Sequence, residues 1–235
     1  GLEYTLDDDA YYVTGIGICT DPVIAVPAKY NGWRVAGIAE EAFMEQPGIT
    51  ELIVSGGLNE IGNGAFLNCP DLISVKIGDG VTVLGHEAFK NCQSLQTAEI
   101  PGSVTAIGYQ TFIWCKNLTN ITISEGVQSI GDGAFVGCDS LTSIVIPDSV
   151  TTIGEWAFTG CMNVESIHLG KGVQAIGVMA LSYCTRLTKL TVDEGNTVYR
   201  SAGNCLIEIN TNTLLFGCLG SMIPNDGSVT AIGDS

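Results

Sequence analysis

The sequence predicts an α/β repeat fold: a right-handed solenoid with short parallel strands on a concave face. Three observations lead there. Cys69, Cys92, Cys115, Cys138, Cys161 and Cys184 recur at steps of 23 residues, a pattern of stacked units and not of a disulfide framework. Each unit carries a Leu-x-x-Ile-x-Ile segment, typified by Leu141, Ile144 and Ile146, whose alternation has the period of a strand with one buried face. Between these segments runs Gly-x-x-Ala-Phe-x-x-Cys, seen as Gly131, Ala134, Phe135 and Cys138, which lacks that alternation.

The elements follow in order. Residues 1–34 read as a capping hairpin and a first irregular coil, because Asp7, Asp8 and Asp9 separate two apolar stretches within residues 2–15. Residues 35–192 read as seven units in one register, starting at Val35, Leu58, Val81, Val104, Val127, Val150 and Val173, with Gln46 replacing the first cysteine. In the return of each unit, Gly62, Gly85, Gly108, Gly131, Gly154 and Gly177 suit a positive φ or a close backbone approach. The Ala-Phe three residues on suits a helical turn pressed inward. One coil cannot bury its Val, Ile, Phe, Cys and Leu alone, but stacked coils bury them against equivalent neighbours. Counting strands at Ile24, Leu206 and Met222, the concave sheet would hold about ten strands and run roughly 45 Å along its arc. Residues 193–222 read as an irregular hairpin insertion, with 205–209 and 214–218 flanking the turn-forming residues 210–213. That pairing would set Cys205 opposite Cys218. Residues 223–235 start a further repeat at Val229, Ile232 and Gly233 and stop before its Ala-Phe, as a truncated unit would.

Charge and chemistry narrow the function. A net charge of −16, from 25 acids against 9 bases, repels a nucleic-acid backbone. It favours a monomer and basic partners or cations. No apolar run approaches the ~20 residues that span a bilayer. The ladder cysteines lie along a line, so they converge neither on a metal nor on disulfide geometry; they read as buried thiols filling the core. Cys205 and Cys218 read either as core thiols or as a bonded pair. His86 and His168 fall in different coils at different unit positions. His86-Glu87 continues as Ala-Phe-Lys and lacks the second histidine of a zinc motif. His168 reads as a surface histidine that Glu165 could tune. Gly62-x-Gly64 and Gly131-x-Gly133 lack the rest of a dinucleotide fingerprint. The Asp7–Asp9 tip lacks the glycine and distal glutamate of a calcium loop. No catalytic residue, metal or cofactor is expected.

Two surfaces could bind a partner. By the alternation rule, Lys76, Glu99, Thr122, Val145, His168 and Thr191 form the central outward column of the concave sheet. This face is polar and poor in bulky anchors. The return carries the large aromatics Tyr109, Trp114, Trp156 and Tyr183, read as not sharing one column. They form either a partner-binding edge or rings folded over their own coils.

The Leu-x-x-Ile-x-Ile core, the repeated Ala-Phe and the 23-residue period resemble the BspA-like bacterial subclass of leucine-rich repeats over residues 23–233. The resemblance implies an exported or surface-attached bacterial protein with a role in adhesion to host proteins. Taken together, these readings point to an extracellular or cell-surface module that binds a protein or glycan without catalysis. The alternatives are a targeting or spacer arm of a larger exported enzyme whose catalytic domain lies outside this chain, and a structural stalk.

Overall fold

A computed structural model describes residues 1–233; the last two residues of the expected terminal unit, 234–235, lie outside the described residues. The chain is a β-solenoid of stacked parallel strands, joined from coil to coil along three sides.

On the first side, the alternating Leu-x-x-Ile-x-Ile segments turn their apolar residues inward. Val23–Val26, Glu51–Val54, Ser74–Lys76, Thr97–Ile100 and Asn120–Ile123 pair in parallel as one sheet, and Ser143–Ile146, Ser166–Leu169 and Lys189–Val192 as another. The expected ten-stranded sheet is therefore corrected to eight strands in two groups. Leu206 lies in Cys205–Glu208 of a separate sheet, and Met222 lies in no strand. No strand pairing joins Asn120–Ile123 to Ser143–Ile146. Side chains hold the coils together there. The Glu125 carboxylate accepts the amides of Asp148 at 3.1 Å and Ser149 at 3.0 Å, while the Ser149 hydroxyl accepts from Gly126 and donates to Val127.

The second side is a longer ladder of very short strands, running from Trp33–Ile38 through Glu60–Ile61, Val83–Leu84, Ala106–Ile107, Ser129–Ile130 and Thr152–Ile153 to Ala175–Ile176. At its start lies an antiparallel hairpin of Glu3–Asp7 and Ala10–Gly15, whose second strand runs parallel to Trp33–Ile38.

The third side corrects the α/β expectation, for the described residues contain no helix. A helix would need its N–H groups to bond four residues back within the coil. Here alternate N–H groups leave the coil. Phe66 donates to Ala88 at 2.8 Å, Phe112 to Ala134 at 2.8 Å and Phe135 to Ala157 at 2.7 Å, each on the following coil. The backbone reaches this geometry by entering the left-handed region twice per coil. One column is Glu41, Gly64, Glu87, Gln110, Gly133, Trp156 and Met179; the other is Glu45, Asn68, Asn91, Trp114, Gly137, Gly160 and Tyr183. Left-handed φ costs a non-glycine residue roughly 1–2 kcal/mol, and ten of these fourteen positions bear a side chain. The inter-coil bonds and the burial beneath them offset that cost.

Beneath the third side lies the centre of the core. Phe43, Phe66, Phe89, Phe112, Phe135 and Phe158 stack with ring centroids 4.8–5.5 Å apart and planes within 13° of parallel. Each ladder thiol donates to the carbonyl of a Phe in this stack, from Cys69 to Phe43 at 3.0 Å through Cys184 to Phe158 at 3.4 Å. The thiols therefore satisfy buried carbonyls as well as filling space. Gly62, Gly85, Gly108, Gly131, Gly154 and Gly177 serve close approach and not positive φ. At Gly154 a Cβ would lie 2.6 Å from the Asp132 amide nitrogen, and at Gly177 2.4 Å from that of Glu155.

Asn196 closes the regular stack. Its carboxamide donates to Gly170 at 3.1 Å and Val173 at 3.0 Å and accepts from Val198 at 2.9 Å and Tyr199 at 2.7 Å. Beyond it, Tyr199–Ala202, Cys205–Glu208 and Thr213–Gly217 form an antiparallel meander, and Ala231–Ile232 runs parallel to its last strand. The hairpin pairs Glu208 with Thr213 and not residue 209 with 214, and after an irregularity between Leu206 and Ile207 Cys205 faces Gly217. The expectation that Cys205 stands opposite Cys218 is corrected accordingly. Both are free thiols, as are the other seven cysteines.

Candidate binding surfaces

The strand face presents its outward column in continuous register on either side of the interruption. Glu99 lies between Lys76 and Thr122, and His168 between Val145 and Thr191. Lys76, Glu99, Thr122 and Val145 are exposed, whereas His168 and Thr191 are half-buried. His168 Nδ1 is 3.0 Å from the Thr191 hydroxyl. Glu165, expected to tune His168, instead pairs with Arg186 at 3.3 Å.

His86 has a backbone role. Its Nδ1 accepts the Tyr109 amide at 2.9 Å, which assigns the ring proton to Nε2. The same column uses Asn63 to accept from His86 and Asp132 to accept from Glu155, so side chains one residue after the glycines link successive coils. His86 and His168 do not meet. Among the described residues no group of three His, Cys, Asp or Glu side chains is placed to hold a metal. Asp7 and Asp8 are exposed at the hairpin tip, with Asp9 3.9 Å from Arg34.

The aromatic residues of the return occupy the left-handed positions, with one exception. Trp114 and Trp156 are each 46% exposed and Tyr183 65%, all at positive φ. Tyr109, also half-exposed, sits in the neighbouring side-chain column with its ring edge-on to His86. Trp114 and Tyr183 share one register position three coils apart, while Tyr109 and Trp156 stand in two other columns. Nor does Trp114 fold over its own coil. Its indole reaches Gly137 of the following coil, where a Cβ would lie 3.0 Å from Trp114 Cδ1. Above the same ring stands Lys90, with Nζ 5.9 Å from the centroid and 2.9 Å from Glu87. The sequence signal for this contact was the 23-residue register, in which Glu87, Lys90 and Trp114 become neighbours.

Comparisons with known proteins agree with this architecture. A family model for the BspA type leucine rich repeat region matches in six copies, over residues 36–161 and 105–214. A leucine rich cell surface protein from Faecalibacterium prausnitzii A2-165 is 32% identical and superposes with a TM-score of 0.77, over 92% of this chain and 60% of its own. The pneumococcal vaccine antigen PcpA (18% identity, TM-score 0.63) is matched over 92% of this chain and 54% of its own. A leucine-rich repeat protein from Eubacterium ventriosum ATCC 27560 (20%, 0.59) is matched over 91% and 50%. The last two share the fold. The chain thus spans between half and about three-fifths of the length of these structures. No curated protein matches the sequence. No helix among the described residues is long and apolar enough to cross a membrane.

Proposed function

The chain belongs to the BspA-type leucine-rich repeat family, and on that premise we propose that it is a recognition module. It acts outside the cell or at a bacterial surface, binds a protein or glycan, and catalyses no reaction. The binding side is the return. The observation that carries this reading is the exposure of Trp114, Trp156 and Tyr183 at left-handed positions. A side chain there stands clear of the core, and aromatic residues dominate the energetics of most interfaces. The cell-surface description of the 32%-identical structure supports the location.

One observation favours a second reading, in which the strand face binds. Val145 is 63% exposed and lies on Ser143–Ile146, beside the interruption in the sheet. Two variants separate the readings: Trp114→Ala with Trp156→Ala on the return, and Thr122→Arg with Val145→Arg on the strand face. Both are applied to arrays of host matrix proteins and glycans, with circular dichroism as the check on folding. Loss of a bound ligand only in the tryptophan variant supports the return. Loss only in the arginine variant places the site on the strands. If both variants retain every ligand, the return and the strand face are both wrong.

A further inference from the structure

The Lys90 contact shows what chemistry this side accepts. Its ammonium is held between the Glu87 carboxylate and the Trp114 ring of the next coil. Three steps of 23 residues further on, the register replaces Glu87, Lys90 and Trp114 by Trp156, Thr159 and Tyr183. The backbone is equivalent at the two places. Glu87 and Trp156 have φ of 56° and 53°, Trp114 and Tyr183 62° and 59°. Lys90 N donates to Glu87 O at 3.0 Å, and Thr159 N to Trp156 O at 3.0 Å.

At the second place the cation is missing while the aromatic surface is doubled. Thr159 is short, and its hydroxyl bonds to Met179 O. Gly160, in the place of Asn91, leaves the floor bare: a Cβ there would meet only Gly137 backbone atoms, the nearer at 3.8 Å. Trp156 and Tyr183 remain half-exposed or more. Among the described residues, the one cation set over an aromatic ring is Lys90.

We propose that the position between Trp156 and Tyr183 takes a lysine or arginine side chain from a basic, extended segment of a partner protein. The proposal rests on the reading of the return as the binding side and names its occupant. Aromatic faces attract ammonium and guanidinium groups, and the charge along the return as a whole favours the same partner. The seven return segments hold six acids, Glu40, Glu41, Glu45, Glu87, Asp132 and Glu155, against one base, Lys90, which is already paired. The whole chain carries −16. A free small cation would keep its water on so open a surface, whereas a peptide places further cations beside Glu155, next to Trp156, and Asp132 on the preceding coil. A neutral glycan would gain from the rings and from hydrogen bonds to the carboxylates, and nothing from the net charge.

The test uses a fluorescein-labelled oligolysine peptide and its fully acetylated form, with fluorescence anisotropy as the readout. Oligolysine is expected to bind and to weaken as salt is raised, and the acetylated peptide is expected not to bind. Trp156→Ala with Tyr183→Ala should weaken binding about tenfold. Thr159→Lys should weaken it by a similar factor, because it supplies the missing ammonium from within. Asp226→Asn removes a carboxylate outside the return and should leave the affinity unchanged. Equal binding of the acetylated peptide overturns the proposal, as does undiminished binding by a Thr159→Lys protein with a native circular dichroism spectrum. If the ligand arrays yield a neutral glycan lost on Trp156→Ala while oligolysine fails to bind, the cationic occupant is wrong and the return remains the binding side.

Discussion

Alkaline pH should loosen this solenoid through its cysteine column. Burial raises the Cys115 thiol from 9.0 to about 12 and the Cys184 thiol to about 11, and pushes Cys92, Cys138 and Cys161 well above 9.0. The fold keeps such a thiol protonated where the unfolded chain has already lost the proton. Its contribution is therefore full below about pH 9 and disappears as the pH rises through the folded value. At about pH 10 the unfolded thiol is mostly ionised, and each raised thiol costs about 1.4 kcal/mol relative to neutral pH. Cys69 and Cys92 share a hydrogen bond that lowers the first and raises the second, so their contributions oppose each other. The other four, Cys115, Cys138, Cys161 and Cys184, sum to about 6 kcal/mol, comparable with the ~5–15 kcal/mol that holds a typical domain together.

Urea unfolding followed by circular dichroism at about pH 8, 9 and 10, with a reductant present, measures this loss. A variant carrying Cys138→Ala and Cys161→Ala retains two of these four, Cys115 and Cys184, and should lose about 3 kcal/mol over the same range. Lysines and tyrosines titrate alike in both proteins, so the difference isolates the thiols. Equal pH slopes in the two proteins would refute the reasoning, because they would mean that the column ionises as readily folded as unfolded.

Other consequences follow from named contacts. The six ladder cysteines should resist a thiol reagent in the native protein, and all nine cysteines should react once it is denatured; rapid native labelling of the ladder would contradict their burial. Gly154→Ala sets a Cβ against the Asp132 backbone and should destabilise by about 1–3 kcal/mol as overpacking, read from the urea midpoint. Asn196→Ala leaves two carbonyls and two amides without their partner and should cost at least about 2–4 kcal/mol. Because that loss is local, limited proteolysis should cut first within residues 197–218, and an unchanged digestion pattern would refute it.

The strand side was legible because its information is local. Alternation of period two, repeated every 23 residues, assigns Ile144 and Ile146 to the core and Val145 to the outside without any knowledge of the neighbouring coil. The return was not legible for the converse reason. Gly-x-x-Ala-Phe is compatible with a helical turn, and residues such as Glu41, Trp156 and Met179 have no local reason to enter the left-handed region. Only bonds to the next coil, such as Phe158 N to Ala180 O at 2.8 Å, select that conformation. The interruption after Asn120–Ile123 and the register shift beside Leu206 are likewise products of packing. Asn196 could have been found, since it follows Val127, Val150 and Val173 at the same spacing and is the polar residue in an apolar column.

Left-handed residues also explain why the recognition side can vary while the solenoid stays intact. The amides of the left-handed residues bond to backbone carbonyls of the next coil, as Trp114 does to Val136 and Trp156 to Val178, so these bonds constrain φ there and not the identity of the side chain. Glutamate, glutamine, asparagine, glycine, tryptophan, methionine and tyrosine all occupy them here with φ between 52° and 74°. What the surface offers is then decided by pairs along a column. Trp114 lies against Gly137 because a glycine follows it, and Gly160 is bare because Gly137 precedes it. Exchanging Gly160 for the Asn that stands at Asn91 would restore a side chain beneath the proposed cation position without altering any backbone bond. Asparagine tolerates the left-handed region better than most residues, so Gly160→Asn should fold normally and still weaken oligolysine binding. Normal folding with undiminished affinity would mean that the open floor has no part in recognition.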